Sequence, residues 1–447
     1  MQNFFWGTAT SAFQIEGGHN IDGRSPSIWD VFSLQNGRIK NHDDGRNGIN
    51  HYKTYQNDLT HLAKLGVNSY RFSLSWSRII PTLNGEVNKS GLAFYDRILD
   101  ELEKYKITPF ITLYHWDLPQ YLQDIGGWLN PKTVEAFAHY VAVVVQHFGS
   151  RCLHYITLNE PQCIVNLGHR TLEHAPGIYL SDEQTVKIVH HLLLAHGHAV
   201  TVIRKLNVGA TVGIANTSTV AIPVANTSTN IELARRHYFS LERGRFDQVT
   251  LFSDPVFLGR YPQEFIEFYE QFLPENYKKD LEIISQDIEY CYQNFYTGYF
   301  IAEDKAGNMK ILPYTNENYT GVFPWLHYVP ETLYYGPKFL FERYQKPIII
   351  SENGISVVDK VTSDKKVHDV WRIKYFSDYI SALLKIKKEG VPVLGYFAWS
   401  LFDNFEWAWG YQPRFGLIYI DYLTQERIYK DSFYFYQNLI KTKMEKI

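Results

Sequence analysis

PIIISENG fills residues 347–354 of the chain. A proline and three isoleucines lead through Ser351 into the carboxylate of Glu352, the amide of Asn353 and Gly354. A short apolar run bounded by proline and glycine reads as a strand buried on both faces, as in parallel sheets. Glu352 then stands at the C-terminal end of that strand, where Gly354 lets the chain turn away. A charge in such a place is costly unless it is paired or working. Alone, it would be read as a cap or a salt bridge, so its neighbours in the fold decide its meaning.

Similar apolar runs occur at residues 4–8, 67–72, 108–114, 154–158, 211–215, 289–294 and 393–398. Helical patterns lie between them, at 49–65, 92–105, 131–148, 183–206, 232–242, 331–343 and 370–388. Strands alternating with helices in this number predict an α/β fold, a (β/α)8 TIM barrel, as one catalytic domain over residues 1–447. Such a barrel needs ~250 residues, which leaves the remainder for extended loops at the C-terminal face of the strands. No G-x-G-x-x-G turn follows any strand, which argues against a doubly wound open sheet.

In these barrels the active site gathers at the C-terminal strand ends. Gln14 and Glu16 follow the first strand, Arg71 closes the second, and His115, Trp116 and Asp117 follow the third. Asn159 and Glu160 end the fourth, Asn294 and Tyr296 the sixth, Glu352 and Asn353 the seventh, Trp399 and Ser400 the eighth. The fifth, ending near Asn216, offers nothing comparable. Amides, acids, His, Arg and Trp at so many ends outweigh the salt-bridge reading of Glu352.

The formal net charge of −3 gives no electrostatic case for nucleic acid or an anionic membrane as partner. Aromatic residues make up 16% of the chain, an excess that fits a heavy core, a sticky interface or a site that stacks sugar rings. Cys152, Cys163 and Cys291 are too few and too widely spaced for a disulfide framework or zinc knuckle, which points to buried thiols in a reducing compartment. No basic stretch followed by an apolar core opens the sequence, and no run approaches the ~18 apolar residues of a membrane span. The expectation is a cytoplasmic protein; its oligomeric state is left open.

No Ser–His–Asp or Cys–His set completes a nucleophilic triad at the strand ends. His115 alone does not make a metal site, so neither metal nor cofactor is expected. His190, His191, His196 and His198 lie around a helix without H-E-x-x-H spacing and read as structural or solvated. Two strand-end glutamates, Glu160 and Glu352, with aromatic platforms nearby suit a polyhydroxylated substrate. Glycoside hydrolysis needs such a pair: one carboxyl protonates the leaving oxygen while the other attacks or activates water.

The motifs include FFWGTATSAFQIEG from Phe4, YRFSLSWSRI from Tyr70, LYHWDLP from Leu113 and TLNEP from Thr157. They continue with NFYTGYF from Asn294, ISENG from Ile350, YFAWSLFDNFEW from Tyr396 and RFGLIYID from Arg414. Over essentially the whole chain they resemble glycoside hydrolase family 1, the β-glucosidase-like retaining glycosidases. The resemblance implies Glu160 as general acid/base with a raised pKa and Glu352 as an ionised nucleophile beside Arg71 and Tyr296. Their carboxyls would lie about 5–5.5 Å apart. It implies Asn159 at the sugar 2-hydroxyl with Asn294 in support, and Gln14, His115 and Glu406 at other hydroxyls. Trp399 becomes the stacking floor, with Trp407, Trp116 and Phe415 beside it and Trp325 on the aglycone side.

Relatives acting on 6-phosphorylated sugars carry Ser, Lys and Tyr where this chain has Glu406, Pro413 and Phe415. An anionic Glu406 without the lysine would repel phosphate. The substrate expected is therefore a small, non-phosphorylated β-D-glucoside or short oligosaccharide, with β-galactosides and β-fucosides as further substrates. The alternatives are a 6-phospho-β-glycosidase, a transglycosylase on the same residues, and a non-catalytic sugar-binding relative, which would have lost a glutamate. Departures from the family pattern fall at Ser77 and Ser351, in LGHRTLEHAPG, and in GVFPWLHY, where Phe323 and Pro324 precede Trp325. The last two segments bear on aglycone preference.

Overall fold

A computed structural model describes residues 4–303, 309–315 and 321–444. Eight parallel strands close into a barrel: β1 (Phe5–Ala9), β2 (Ser69–Ser73), β3 (Thr108–Tyr114), β4 (His154–Asn159), β5 (Thr211–Thr217), β6 (Cys291–Asn294), β7 (Ile348–Asn353) and β8 (Val393–Trp399). Each pairs with its neighbour in sequence, and β8 closes onto β1 from Phe5 opposite Gly395 to Ala9 opposite Trp399. The PIIISENG strand is buried along its whole length, as its apolar run requires.

Helices wrap the outside because their apolar faces repeat every three or four residues. In Pro131–Phe148 the inward stripe is Val134, Phe137, Val141, Val144, Val145 and Phe148. Pro131 occupies the first helical turn, where its missing N–H costs nothing, and the Asn130 side chain accepts from Lys132 N at 3.0 Å. Asp182–Leu206 is long and apolar enough by composition to cross a membrane, yet most of it is buried within the protein. Its histidines are structural: His190 meets Tyr261 and Asp280, His191 the Trp128 carbonyl, and His196 the Thr157 hydroxyl.

Aromatic rings fill the barrel's interior. Phe110 stacks on His154 at 4.3 Å and meets Phe5 and Phe397, each at 5.0 Å. Glycines make room for this packing: a Cβ on Gly7 would lie 2.5 Å from the Phe397 ring, and one on Gly213 2.4 Å from Tyr292. Much of the aromatic excess therefore goes into the core. Trp76, stacked on Tyr140 at 5.0 Å, is part of it.

Some element ends differ from the sequence expectation. β6 starts at Cys291, not 289; ahead of it the Glu289 carboxylate accepts from the Val212 amide and Arg204. The helix expected at 232–242 runs Ser228–Tyr238, started early by the Thr227 side chain, which accepts from Asn230 N. A small sheet of Val220–Pro223, Gly298–Glu303 and Met309–Ile311 at the barrel rim was not expected.

Candidate active site

The C-terminal strand ends surround a cavity of roughly 690 Å3. Glu352 reaches it from the end of β7. The β6–β7 register slips between Ile350 and Glu352, an irregularity of the kind that re-aims a side chain. Gly354 is needed for close approach more than for a turn, since a Cβ there would lie 1.9 Å from the Trp399 carbonyl oxygen. Asn353 points into the structure instead, donating to the Phe295 carbonyl and accepting from Tyr396.

Glu352 is held by donors on both oxygens. Arg71 Nη1 lies 2.6 Å from Oε1, and the Tyr296 hydroxyl donates to Oε2 at 2.5 Å. Arg71 is itself fixed by Thr112 Oγ1, the Ser351 carbonyl and Asn159 Oδ1. Burial pushes the Glu352 carboxyl up from its ordinary value, and Arg71 and Tyr296 oppose that rise.

Glu160 sits between β4 and the helix Pro161–His169, in the left-handed region at φ 45°. A non-glycine residue there costs about 1–3 kcal/mol, held by its surroundings. Its amide donates to the Ala215 carbonyl of β5 at 2.7 Å. An acidic residue at this helix position normally caps the N-terminus, but the Glu160 side chain makes no cap and turns into the cavity. Its partners are neutral: Asn294 Nδ2 at 2.7 Å from Oε1 and Cys163 Sγ at 3.0 Å from Oε2. Burial, then the charge of Glu352, raises its pKa to about 7, against the Asn294 and Cys163 hydrogen bonds.

The amides around the pair are locked. Asn159 Oδ1 accepts from Arg71 and Asn294, so its Nδ2 donates to His115 Nε2 at 3.1 Å. The Ser351 hydroxyl donates to Asn294 Oδ1 at 2.6 Å, which turns Asn294 Nδ2 toward Glu160. Burial, with Arg71 nearby, holds His115 well below its ordinary pKa and therefore neutral.

Trp399, Trp407 and Glu406 form the inner wall. The His115 ring lies near parallel to both tryptophans, at 5.8 and 6.0 Å. Trp407, also at positive φ, is sandwiched by Phe13, Trp29 and Trp116. Buried charges pin this loop from below: Asp403 meets Arg414 and Lys430, each at 2.7 Å, and Lys430 reaches Asp359, which pairs with Arg372. Trp325 is 48% exposed on the rim, packed against Phe323 and edge-on to Tyr296.

His115, Trp116, Asn159, Glu160, Tyr296, Trp325, Glu352, Trp399, Glu406, Trp407 and Phe415 all line the cavity. Arg71, Asn294 and Gln14 stand behind it. Gln14 is wholly buried and spends its amide on Asn404, the Phe405 carbonyl and Glu406 Oε2, so here it orients Glu406. The Glu406 side chain accepts from that amide, and burial, then the Glu352 and Glu160 charges, raises it to about 8. Glu406 therefore holds its proton more tightly than an ordinary glutamate. Arg71 is committed to Glu352, and Arg245, which lines the cavity, is paired with Asp247 and Glu242.

Sequence reasoning passed over Cys163 as a buried thiol, and β5 as silent. The first touches Glu160, and the second seats its backbone while Asn216 holds Gln162. Glu173 and His174, in LGHRTLEHAPG, also line the cavity, as do Thr217, Arg245 and Met309. Among the described residues no group of three or more His, Cys, Asp or Glu side chains is arranged to hold a metal ion.

The model of the glycosyl hydrolase family 1 matches residues 1–445. A protein of Thermotoga maritima named beta-glucosidase A is 41% identical over 98% of this chain and 97% of its own. A bifunctional beta-D-glucosidase/beta-D-fucosidase of Bifidobacterium breve is 38% identical over 98% of this chain and 97% of its own. A solved structure of the Thermotoga maritima beta-glucosidase in complex with glucoimidazole superposes with a TM-score of 0.89, covering 99% of this chain and 98% of that one, at 41% identity. With the closed eight-stranded barrel, these likenesses make the chain a glycoside hydrolase, a member of glycosyl hydrolase family 1.

Proposed function

We propose that the protein is a retaining, exo-acting β-glucosidase for non-phosphorylated β-D-glucosides, with β-fucosides and β-galactosides as secondary substrates. The observation that carries this reading is the unequal partnering of two carboxyls in one cavity. Glu352 has a guanidinium and a phenol, partners of a carboxylate; Glu160 has an amide and a thiol, with its pKa at about 7. The group with charged and phenolic partners holds the negative charge, and the other holds the proton.

In the first step Glu352 attacks the anomeric carbon while Glu160 gives its proton to the leaving oxygen, and a glycosyl ester forms on Glu352. With the Glu352 charge consumed, the repulsion that raised Glu160 disappears and its carboxylate takes a proton from water. That water attacks the same carbon from the opposite face, so the configuration is retained. Asn159, locked by Arg71 and Asn294, is placed to meet the sugar hydroxyl beside the reacting centre. Names of the relatives, glucosidase and glucosidase/fucosidase, favour glucose-like rings. Free cysteines, two of them buried, favour a reducing, cytoplasmic setting.

Proton NMR of the first-formed sugar from an aryl β-D-glucoside tests the reading: β-glucose appears before mutarotation. An initially α product would refute it. Glu352→Gly abolishes turnover and recovers part of it with azide. A panel with cellobiose and a 6-phosphoglucoside separates this activity from the phosphate-specific alternative, which requires the phosphorylated substrate to be preferred.

A further inference from the structure

Glu160 must exchange one proton per step, and the two groups on its carboxyl differ in whether they allow this. Asn294 is a donor only toward Oε1. Its amide orientation is fixed because Ser351 Oγ donates to its Oδ1 at 2.6 Å and its Nδ2 also serves Asn159 Oδ1. A proton on Oε1 would face that N–H, so the protonated acid carries its hydrogen on Oε2. Oε2 has Cys163 Sγ at 3.0 Å, one helical turn on, where the Cys163 amide bonds the Glu160 carbonyl at 2.9 Å. A thiol is both a weak donor and a weak acceptor. It donates to a carboxylate and, with S–H turned away, accepts from a carboxylic acid.

We propose that Cys163, resting on the reading of Glu160 as acid/base, is a positioning residue that holds Oε2 in both protonation states and keeps the catalytic proton on that oxygen. With substrate bound, the Oε2 hydrogen swings from Sγ to the leaving oxygen and passes to it as the C–O bond breaks and leaves its electron pair there, and the S–H rotates to donate to the new carboxylate. In the second step Oε2 recovers a proton from water and the thiol turns back to acceptor. The helix supports this placement: Pro161 fixes its first turn, and the thiol lines the cavity without a cysteine partner.

The test compares Cys163→Ala, Cys163→Ser and Glu160→Ala on 2,4-dinitrophenyl and phenyl β-glucosides across pH. Losing a donor to the carboxylate lets Glu160 keep its proton to higher pH. In Cys163→Ala the alkaline limb of kcat/KM therefore moves up by about 0.5–1 pH unit, the worth of a weak hydrogen bond. The phenyl substrate, which needs its leaving oxygen protonated, loses about 5- to 10-fold in kcat/KM, while the dinitrophenyl substrate changes less than twofold. Cys163→Ser, whose hydroxyl also donates and accepts, restores both the limb and the substrate ratio. An unmoved limb and ratio in Cys163→Ala, or a Ser variant that behaves like Ala, overturns the proposal. If instead Glu160→Ala retains full rate on the phenyl substrate, the assignment of Glu160 falls and the thiol's role with it.

Discussion

Removing the Tyr296 hydroxyl tests the charge balance of the site with little change of shape. Tyr296→Phe keeps the ring that meets Trp325 and Phe415 edge-on, each at 6.1 Å, and deletes the 2.5 Å bond to Glu352 Oε2. Oε1 keeps Arg71, so the carboxyl retains its guanidinium and loses its second donor. A hydrogen bond to a charged group contributes about 1.5–3 kcal/mol, or about 10- to 100-fold in an equilibrium or a rate.

The sign follows from what the bond favours. Tyr296 opposes the burial that raises Glu352, so without it Glu352 takes up a proton at higher pH. The acid limb of kcat/KM then rises by about 1–2 pH units. In the second step of the proposed mechanism Glu352 leaves as a carboxylate, and the same missing donor slows that departure by about 10- to 100-fold. The glycosyl-enzyme accumulates, kcat and KM fall together, and rapid mixing with a dinitrophenyl glucoside shows a burst followed by a slowed steady state. An acid limb that stays in place with kcat unchanged would refute the role given to Tyr296.

Trp325 stands half out in solvent, packed against Phe323 and edge-on to Tyr296. Trp325→Ala should raise KM for aryl glucosides about 2- to 10-fold, from a stacking contribution of about 0.5–1.5 kcal/mol, and leave methyl β-glucoside nearly unchanged in steady-state assays. Glu406→Gln should stabilise the fold at alkaline pH and impair sugar binding. The folded protein keeps the Glu406 proton to about pH 8, whereas the unfolded chain releases it near 4.5, so stability falls as pH rises between the two. Denaturant unfolding of the variant should show a gain of roughly 2–4 kcal/mol at pH 8 that vanishes near pH 4.5; a gain independent of pH would contradict a neutral Glu406.

The barrel was legible because each strand is an apolar run that ends in a polar residue, a signal carried within a few consecutive positions. The places of Glu160 and Glu352 at strand ends in one cavity were legible for the same reason, since TLNEP and ISENG put carboxyl and strand end side by side. Gln14 was read as touching sugar, yet its position behind Glu406 depends on a pairing across 392 residues that no local pattern encodes. Cys163 was passed over because its meaning comes from the left-handed turn at Glu160, which brings residue 163 back onto the carboxyl. Glu406 shows the third kind of gap. Its identity was plain, but its charge is set by two carboxyls from other strand ends and by burial, quantities absent from a linear pattern.

Charge in the cavity is therefore rationed by geometry. Three carboxyls, Glu160, Glu352 and Glu406, converge on one cavity, and Arg71 makes its ion pair with Glu352. Desolvation disfavours further negative charges, and each ionised carboxyl raises the others. Ionising Glu352 is thus part of what keeps Glu160 protonated, and in the proposed mechanism esterifying Glu352 removes that influence when Glu160 becomes a base. Replacing Arg71 would not simply weaken the nucleophile. It would release the negative charge from its one fixed position, letting the proton move between Glu352 and Glu160 and removing the asymmetry on which both chemical steps depend.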